Sequence, residues 1–550
     1  MERMVDVKQA TEPRPPASST SPVEPRRRLI GGLVGLLSGV VALGVAQLVA
    51  GLVGGASSPM IAVGAAAIDA TPEWLKSFAI REFGARDKLV LLVGIGTVLA
   101  IAAVVLGVAS VRRPGVGAIG IAAFGAIGVA SSVTRPANGM ADAIPSIVGA
   151  VGGYVAFVRL RRAAALSSVT WRAPARTQRE DSTKEPIGDP SMQAPGFDRR
   201  RFLFTGAVAA GLAAISGFAG QYLVRRADAS ASRASVRIPA PADAAPPLPA
   251  GADLRVPGLS PFITPTRDFY RVDTALFVPA VDATGWRLRV HGMVDHEITI
   301  DYQQLIARPL IERDITLTCV SNEVGGHYIG NARWTGARLK DLLDEAVVHK
   351  GATQIVTRST DGFTVGTPTA VATDGRDSML AVAMNGVPLP LEHGFPVRMI
   401  VPGLYGYVSA TKWIVDIELT TFQAYSAYWV HRGWSQQAPI KTESRIDTPS
   451  LSSKVQAGTV PIAGVAWAQH RGIEKVEVKV DNGPWTAADL AAQDSVDTWR
   501  QWVYRWNATP GRHYLSVRAT DGTGATQTQN LADPPPNGAT GDHTIAVTVS

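Results

Sequence analysis

Asp314-Ile315-Thr316-Leu317-Thr318-Cys319-Val320-Ser321-Asn322 is the stretch from which the fold can be read. Ile315 and Leu317 alternate with Thr316 and Thr318, as in a half-buried strand with one apolar and one polar face. The strand delivers the only cysteine among 550 residues to its end, and Ser321, Asn322 and the pair Gly325-Gly326 then turn the chain. With no second cysteine there is no intramolecular disulfide. The thiol is therefore buried filler, a nucleophile or a metal ligand.

A chain of 550 residues holds two or more domains. Its formal charge of +7 does not point to nucleic acid, because the clustered arginines stand beside apolar runs, as membrane topology signals do. Gly and Ala dominate the first 230 positions, whereas Trp and His are concentrated later. This composition describes a membrane section followed by a globular section of roughly 300 residues, large enough to bury a core without disulfides.

Residues 1–28 are rich in Pro, Ser and Glu and read as a disordered cytoplasmic tail ending in Arg26-Arg27-Arg28. Five spans are expected at about 29–53, 89–109, 116–133, 143–158 and 202–224. The fourth carries Pro145 and decides the count. The piece 57–68 is too short to cross. The clusters Arg26–Arg28, Arg112-Arg113, Arg159 to Arg162 and Arg199–Arg201 fall on one side if five helices span. A multi-pass protein is expected, with a cytoplasmic N-terminus and everything after Val224 outside. Asp198-Arg199-Arg200-Arg201-Phe202-Leu203 resembles a twin-arginine export signal and reads equally as one more positive-inside cluster. The Ala- and Pro-rich stretch 225–256 is expected to be a flexible tether, with Ala227, Ala229 and Ala231 offering a small-residue cleavage site.

In the globular section, Trp286–Val290 and Ile298–Ile300 read as strands, Asp301 opens a short helix, and Leu339–Val347 is an amphipathic helix. Alternating strands and short helices to about Phe422 make an α+β domain with a mixed sheet. From about Ser444, short strands carrying Val455, Val460, Ile462, Val465, Val476, Val478, Val480, Val517, Ile545 and Val547 alternate with turns such as Asp481-Asn482-Gly483. That spacing is a β-sandwich of roughly a hundred residues.

Four ordered motifs resemble the sulfite oxidase family of molybdopterin enzymes: Thr316-Leu317-Thr318-Cys319-Val320-Ser321-Asn322, Ala332-Arg333-Trp334-Thr335-Gly336-Ala337-Arg338-Leu339, Met384 to Pro390 with His393 to Arg398, and Val401 to Gly403 with Lys412-Trp413. The resemblance covers about 255–550. It implies a sulfite-oxidase-type molybdopterin domain over 257–440, then an immunoglobulin-like β-sandwich over 441–550 of the kind through which the family dimerises. A homodimer through the C-terminal domain is therefore expected. The implied cofactor is molybdenum-molybdopterin, with the soft sulfur of Cys319 as metal ligand. His393 and Arg398 would hold the pterin and its phosphate, Lys412 with Ala410 and Thr411 matches the phosphate-side loop, and Asp361 matches a pterin-contacting Asp. In Phe269-Tyr270-Arg271-Val272-Asp273, Phe269 and Tyr270 fall on the cofactor side. Arg271 stands where the family has an Arg near the substrate oxyanion, and Asp273 replaces a pterin-contacting His.

Each assignment has a plainer counterpart: Arg398 as a structural ion-pair member, Lys412 and Asp361 as turn residues, the Trp499–Trp506 hairpin as sandwich core or dimer contact, and His327 as a loop residue. Two departures bear on substrate. Glu323 and Val324 stand where sulfite-oxidising members have two Arg, and the segment Gly362–Val365, expected to hold the active-site Tyr, has Phe363 instead. All nine His lie between His291 and His543, outside the spans, and there is no Cys-x-x-Cys-His motif, so no haem is expected. The overall expectation is an oxidoreductase anchored in the lipid bilayer by its helices. It would move an oxygen atom and two electrons on a small-molecule substrate, with a separate electron-transfer partner. The alternatives are an S-oxide or N-oxide reductase within that class, a Cys–His hydrolase, and a non-catalytic binding protein.

Overall fold

The computed structural model describes residues 23–53, 57–72, 75, 87–134, 140–164, 199–226, 229–275 and 278–550. The tail up to residue 22, Asp198 of the arginine motif, Ala227 of the small-residue site and most of the charged loop 73–86 lie outside the described residues. The chain divides into two units, one made of the apolar helices and one running from Arg225 to Ser550, with short pieces at 67–87 and 135–137.

The first unit contains helices Val23–Val53, Asp87–Ser110, Pro114–Val133, Ile144–Ala163 and Arg199–Arg226. Five are long and apolar enough to cross a membrane, whereas Pro59–Ala70 is too short. Pro145 does not break the fourth. It sits in the first turn, where the missing N–H costs no hydrogen bond, and the helix runs on to Ala163.

In the second unit, Trp286 precedes a strand over Arg287–Gly292 that pairs antiparallel with Ile298–Asp301 and parallel with Ile414–Thr420. Gln354–Ser359 and Thr364–Pro368 complete this mixed sheet. Asp301 caps helix Tyr302–Ile306 through a reciprocal capping box with Gln304. The second sheet is antiparallel. Its order is Leu310–Thr318, Ile329–Arg338, Met379–Met384 and Val387–Pro388, with Arg398–Ile400 also paired to Met379–Met384. Helix Leu339–Ala346 buries Leu339, Leu342, Leu343 and Ala346 and stops at Val347, whose φ of 55° is left-handed.

Residues 443–549 form two further sheets. Glu443–Thr448, Gly458–Trp467, Arg500–Ala508 and Asp489–Leu490 make one; Lys454–Val455, His543–Val549, Gly511–Asp521, Ile473–Val480 and Thr486–Ala487 make the other. Ile446, Ile462 and Trp502 from the first meet Val476, Val478, Leu515, Val517 and Ile545 from the second in one core, so the two sheets form a sandwich. The segment expected as a Trp-rich hairpin is a single strand, with Trp499, Trp502 and Trp506 all buried in the chain's own cores.

Two further expectations need correction. The Cys strand is not half-buried: Thr316 and Thr318 are as hidden as Ile315 and Leu317. The sandwich covers them. Thr316 Oγ1 accepts the N–H of Trp499 at 2.7 Å, and Gln469 Nε2 donates to Thr316 O and to Thr318 Oγ1 at 3.1 and 2.9 Å. Hydroxyls on that face satisfy polar partners from another domain rather than water.

The stretch expected as a flexible tether is instead bound along the globular unit from residue 229 onward. Asp243 makes a parallel bridge with Ile311, and its carboxylate accepts from Arg313 and Arg338 at 2.6 and 2.8 Å. Those two guanidinium groups hold the Asp243 carboxyl down at about 2. Arg233 donates to the carbonyls of Pro388 and Leu389 at 2.7 Å each, and Gln501 accepts from Leu254 N at 2.7 Å. Strap and sandwich together cover the open edge of the Leu310–Thr318 strand.

Candidate active site around Cys319

The strand ends by delivering Cys319 to a closed loop. Cys319 N donates to Tyr328 O at 2.9 Å, Asn322 N to Cys319 O at 3.0 Å, and Tyr328 N to the Asn322 side-chain oxygen at 2.8 Å. Gly326 packs so tightly on that oxygen that a Cβ would stand 2.7 Å from it, and Gly325, at φ +76°, abuts the His543 ring. Cys319 is half-buried. Burial pushes its thiol above the ordinary value, while the Ser321 N–H and hydroxyl and the Lys412 ammonium act to lower it.

Four other segments converge on this strand end. Phe269 lies against Gly330, stacks on Tyr270 at 5.3 Å, and meets Trp334 and His393 edge-on at 5.7 and 5.6 Å. Burial raises the Tyr270 phenol, and the neighbouring Cys319 adds to this. His393 is buried; burial, with Arg398 and Lys412 nearby, holds its imidazole down at about 3, so it is neutral at physiological pH. Gly394, at φ +111°, lets the chain turn between the Cβ atoms of Arg398 and Lys412, each 3.1 Å from where its own Cβ would be.

Arg398 is 5% exposed, lies over the Trp334 ring at 5.0 Å and donates to His393 O at 3.3 Å. Its Nε has no partner, and no carboxylate meets this guanidinium among the described residues. Burial lowers it to about 10. It is therefore not the structural ion-pair member of the plainer reading. Lys412, lowered to about 8 by burial, pairs with Asp273 at 2.8 Å, and Asp273 also accepts from Arg271 at 2.8 Å. Two cations thus share one carboxylate, and Arg398 beside them has none.

Thr411 is buried, its hydroxyl on Thr357 and its carbonyl on Met399 N, and Ala410 N donates to Gly406 O. Asp361 joins the cluster by no contact seen here. It caps its own turn by accepting from Phe363 N at 3.2 Å, and only its neighbour Thr360, which donates to Trp413 O, links that turn to Lys412-Trp413. His327 is an exposed loop residue beside Arg445.

Sequence reasoning overlooked several groups. Trp334 lies inside a quoted motif but had no role; here it forms the floor beneath Arg398. Tyr428 packs edge-on against Phe363 at 5.3 Å. Arg445 and His543 of the sandwich brace the Cys319 loop: Arg445 Nη1 donates to Gly326 O at 2.7 Å, and His543 Nδ1 accepts from Ile446 N at 3.0 Å. No local pattern marks them. A depression of about 830 Å³ between the Leu339–Ala346 helix and residues 422–437 shares no residue with this cluster.

The donor set indicates what the cluster suits. Among the described residues no three His, Cys, Asp or Glu gather as metal ligands. One thiol can hold a metal only if the metal's other ligands arrive with it. A buried guanidinium with an unpartnered Nε calls for an anion, for which a phosphate has the right geometry. These residues fit a molybdenum cofactor that carries its own sulfur ligands and a phosphate.

Comparison with known proteins agrees. A family profile described as an oxidoreductase molybdopterin binding domain matches residues 275–429. The mitochondrial sulfite oxidase of Homo sapiens is 29% identical over 46% of this chain and 55% of its own length. The uncharacterized oxidoreductase YuiH of Bacillus subtilis is 33% identical over 28% of this chain and 74% of its own. The solved sulfane dehydrogenase SoxCD of Paracoccus pantotrophus aligns with 52% of this chain and 80% of its own at 22% identity, with a TM-score of 0.46. The chain spans about half the length of the mammalian sulfite oxidases it matches. A cysteine loop facing a cationic, carboxylate-poor cluster and a matching family domain converge on one conclusion: the chain belongs to the sulfite oxidase family of molybdopterin-dependent oxidoreductases.

Proposed function

We propose that the protein is a membrane-anchored oxidoreductase that carries out two-electron oxygen-atom transfer on a small substrate outside the cytoplasm. The observation that carries this reading is Arg398, a buried guanidinium with an unpartnered Nε beside the cysteine strand. Such a group is costly to keep without an anionic occupant. When bound, the molybdenum cofactor supplies the oxygen-atom and electron chemistry. In this reading Cys319 is the protein's ligand to the metal. Arg398 and Lys412 neutralise the phosphate, His393 donates or accepts as a neutral imidazole at the pterin, and Phe269, Tyr270, Ala410 and Thr411 shape the cavity. Arg271, the most exposed of these cations, faces incoming substrate, with Asp273 bridging it to Lys412. Asp361 contacts the pterin only if its turn rearranges.

The five apolar helices anchor the protein in the bilayer with the N-terminus inside, and electrons pass to or from a separate partner without haem in this chain. The C-terminal sandwich is immunoglobulin-like and mediates a homodimer. The test is elemental and pterin analysis of protein made in a host that synthesises the cofactor, beside Cys319→Ser. Near-stoichiometric molybdenum, with altered metal spectroscopy in the variant, supports the reading; repeated folded preparations without molybdenum refute it.

One observation favours reduction of an S-oxide or N-oxide over oxidation of a sulfur oxyanion. The exposed Glu323 and the half-buried Val324 follow the cysteine loop where a strongly anionic substrate would call for cations. Screening both substrate classes with the purified enzyme decides the direction.

A further inference from the structure

The sheet face that carries Cys319 ends in a row of aromatic rings, of which the proposed chemistry uses only part. Leu317 pairs with Gly330 and Thr318 with Ile329, and Cys319 N donates to Tyr328 O at 2.9 Å, so Cys319 stands directly opposite Tyr328. Residues opposite each other in an antiparallel pair put their side chains on the same face, about 5 Å apart at Cβ. Thr318 faces the sandwich through Gln469. By alternation, Cys319 and Tyr328 therefore project from the other face, the one on which Phe269 packs against Gly330.

Gly330 leaves a gap on that face which the Phe269 ring fills: a Cβ on the glycine would stand 2.8 Å from it. Phe269 meets Trp334 edge-on at 5.7 Å and stacks on Tyr270 at 5.3 Å. Tyr270 in turn meets Tyr328 at 6.3 Å, their rings tilted by 53°. Trp334 and Phe269 are buried, whereas Tyr270, Tyr328 and Cys319 are half-buried, so the row is anchored in the core and open at the thiol. Tyr328 is held at both backbone groups, its carbonyl by Cys319 N and its N–H by the Asn322 side chain at 2.8 Å. The cysteine loop thus sets the position of that ring. Between Asn322 and Tyr328 the loop carries no Lys or Arg.

We propose that Tyr270 and Tyr328 are specificity-determining residues that select an organic oxide, its carbon substituent lying against the two rings, over an inorganic oxyanion. The inference rests on the function proposed above and narrows the substrate class of that same site. An aromatic face attracts a methyl, aryl or thioether group by apolar and sulfur–aromatic contact. To an anionic oxygen it presents a negative π-face, where an inorganic oxyanion needs cations. Reduction of the oxide takes two electrons from an external redox carrier and two protons from solvent, breaks the bond between the substrate atom and its oxygen, and releases the reduced substrate and water. The rings take no part in that balance. They hold the substituent and leave the oxygen free to be transferred.

The test compares parent, Tyr328→Ala, Tyr270→Leu and Tyr328→Phe holoproteins, with rates expressed per bound molybdenum. Dimethyl sulfoxide and methyl phenyl sulfoxide with a viologen donor, and sulfite with a ferricyanide acceptor, serve as probes. The parent should prefer methyl phenyl sulfoxide to dimethyl sulfoxide in kcat/KM and turn sulfite over slowest. Tyr328→Ala and Tyr270→Leu should each narrow that preference roughly 10-fold, through KM rather than kcat, whereas Tyr328→Phe, which keeps the ring, retains it. Equilibrium dialysis of methyl phenyl sulfoxide against oxidised protein, which binds but cannot reduce it, should show the same loss of affinity in the two variants that lack a ring. A parent that turns over sulfite faster than either sulfoxide, or ring-deleted variants with an unchanged preference, overturns the proposal. A parent without molybdenum overturns the function beneath it, and the dialysis then still decides whether the rings hold the sulfoxide.

Discussion

Arg445, in the first strand of the sandwich, donates to the carbonyl of Gly326, in the loop that leaves Cys319, at 2.7 Å. The same guanidinium pairs with Asp447 at 2.6 Å and reaches Ser260 Oγ at 3.1 Å, so one buried ion pair fixes the start of the catalytic domain, the sandwich and the cysteine loop together. Arg445→Met should leave Asp447 without its partner, at a cost of about 3 kcal/mol, and loosen residues 321–328. We expect molybdenum content to be kept, KM to rise severalfold with a smaller change in kcat, and thermal unfolding to begin several degrees lower.

Arg398 should affect cofactor loading and bare stability in opposite senses. In cofactor-free protein its buried cation has no carboxylate partner, so Arg398→Met should melt at the same or a higher temperature than the parent. In protein expressed with cofactor, the same change should lower molybdenum occupancy at least tenfold. Metal analysis and calorimetry on the same preparations check the pair. A variant that loads normally removes Arg398 from the anion site.

The buried Glu443 makes stability depend on pH. Its carboxyl titrates at about 8 in the folded protein against 4.5 when unfolded, so between these values the folded state binds more protons. Stability from this group is therefore greatest at low pH and falls as pH rises from 4.5 to 8, by on the order of 5 kcal/mol. Glu443→Gln removes that slope. The variant should gain on the parent in melting temperature with each step from pH 5 to pH 9.

Asp243 holds the strap to the catalytic domain through Arg313 and Arg338. Asp243→Asn weakens both pairs and should expose the backbone around Arg237 and Arg255 to trypsin, raising the rate of cleavage there severalfold while the rest of the globular unit stays intact. Limited proteolysis followed by mass spectrometry reads this directly. Unchanged cleavage would mean that the Asp243–Ile311 bridge and the Gln501 contacts suffice without the carboxylate.

Much of this protein is legible in its sequence because much of it is set by short-range periodicity. Uncharged runs of 20 or so residues become apolar helices, the alternation before Cys319 becomes a strand, Asp301 caps a helix, and the spaced valines of 455–547 become sandwich strands. The cysteine loop and the segments carrying His393, Arg398 and Lys412 are also readable, because each is a contiguous motif whose residue types serve one chemistry. The tertiary structure decided the rest. Thr316 and Thr318 looked solvent-facing until Gln469 and Trp499, more than 150 positions away, covered them. The strap looked like a tether because Ala and Pro reveal nothing about the edge on which they lie. The brace on Gly326 comes from Arg445, more than 100 positions away. The physical reason is the same in each case. Hydrophobic periodicity records which side of an element avoids water, but a buried polar side chain is tolerated only by a specific partner, and that partner's position is set by how the sheets pack.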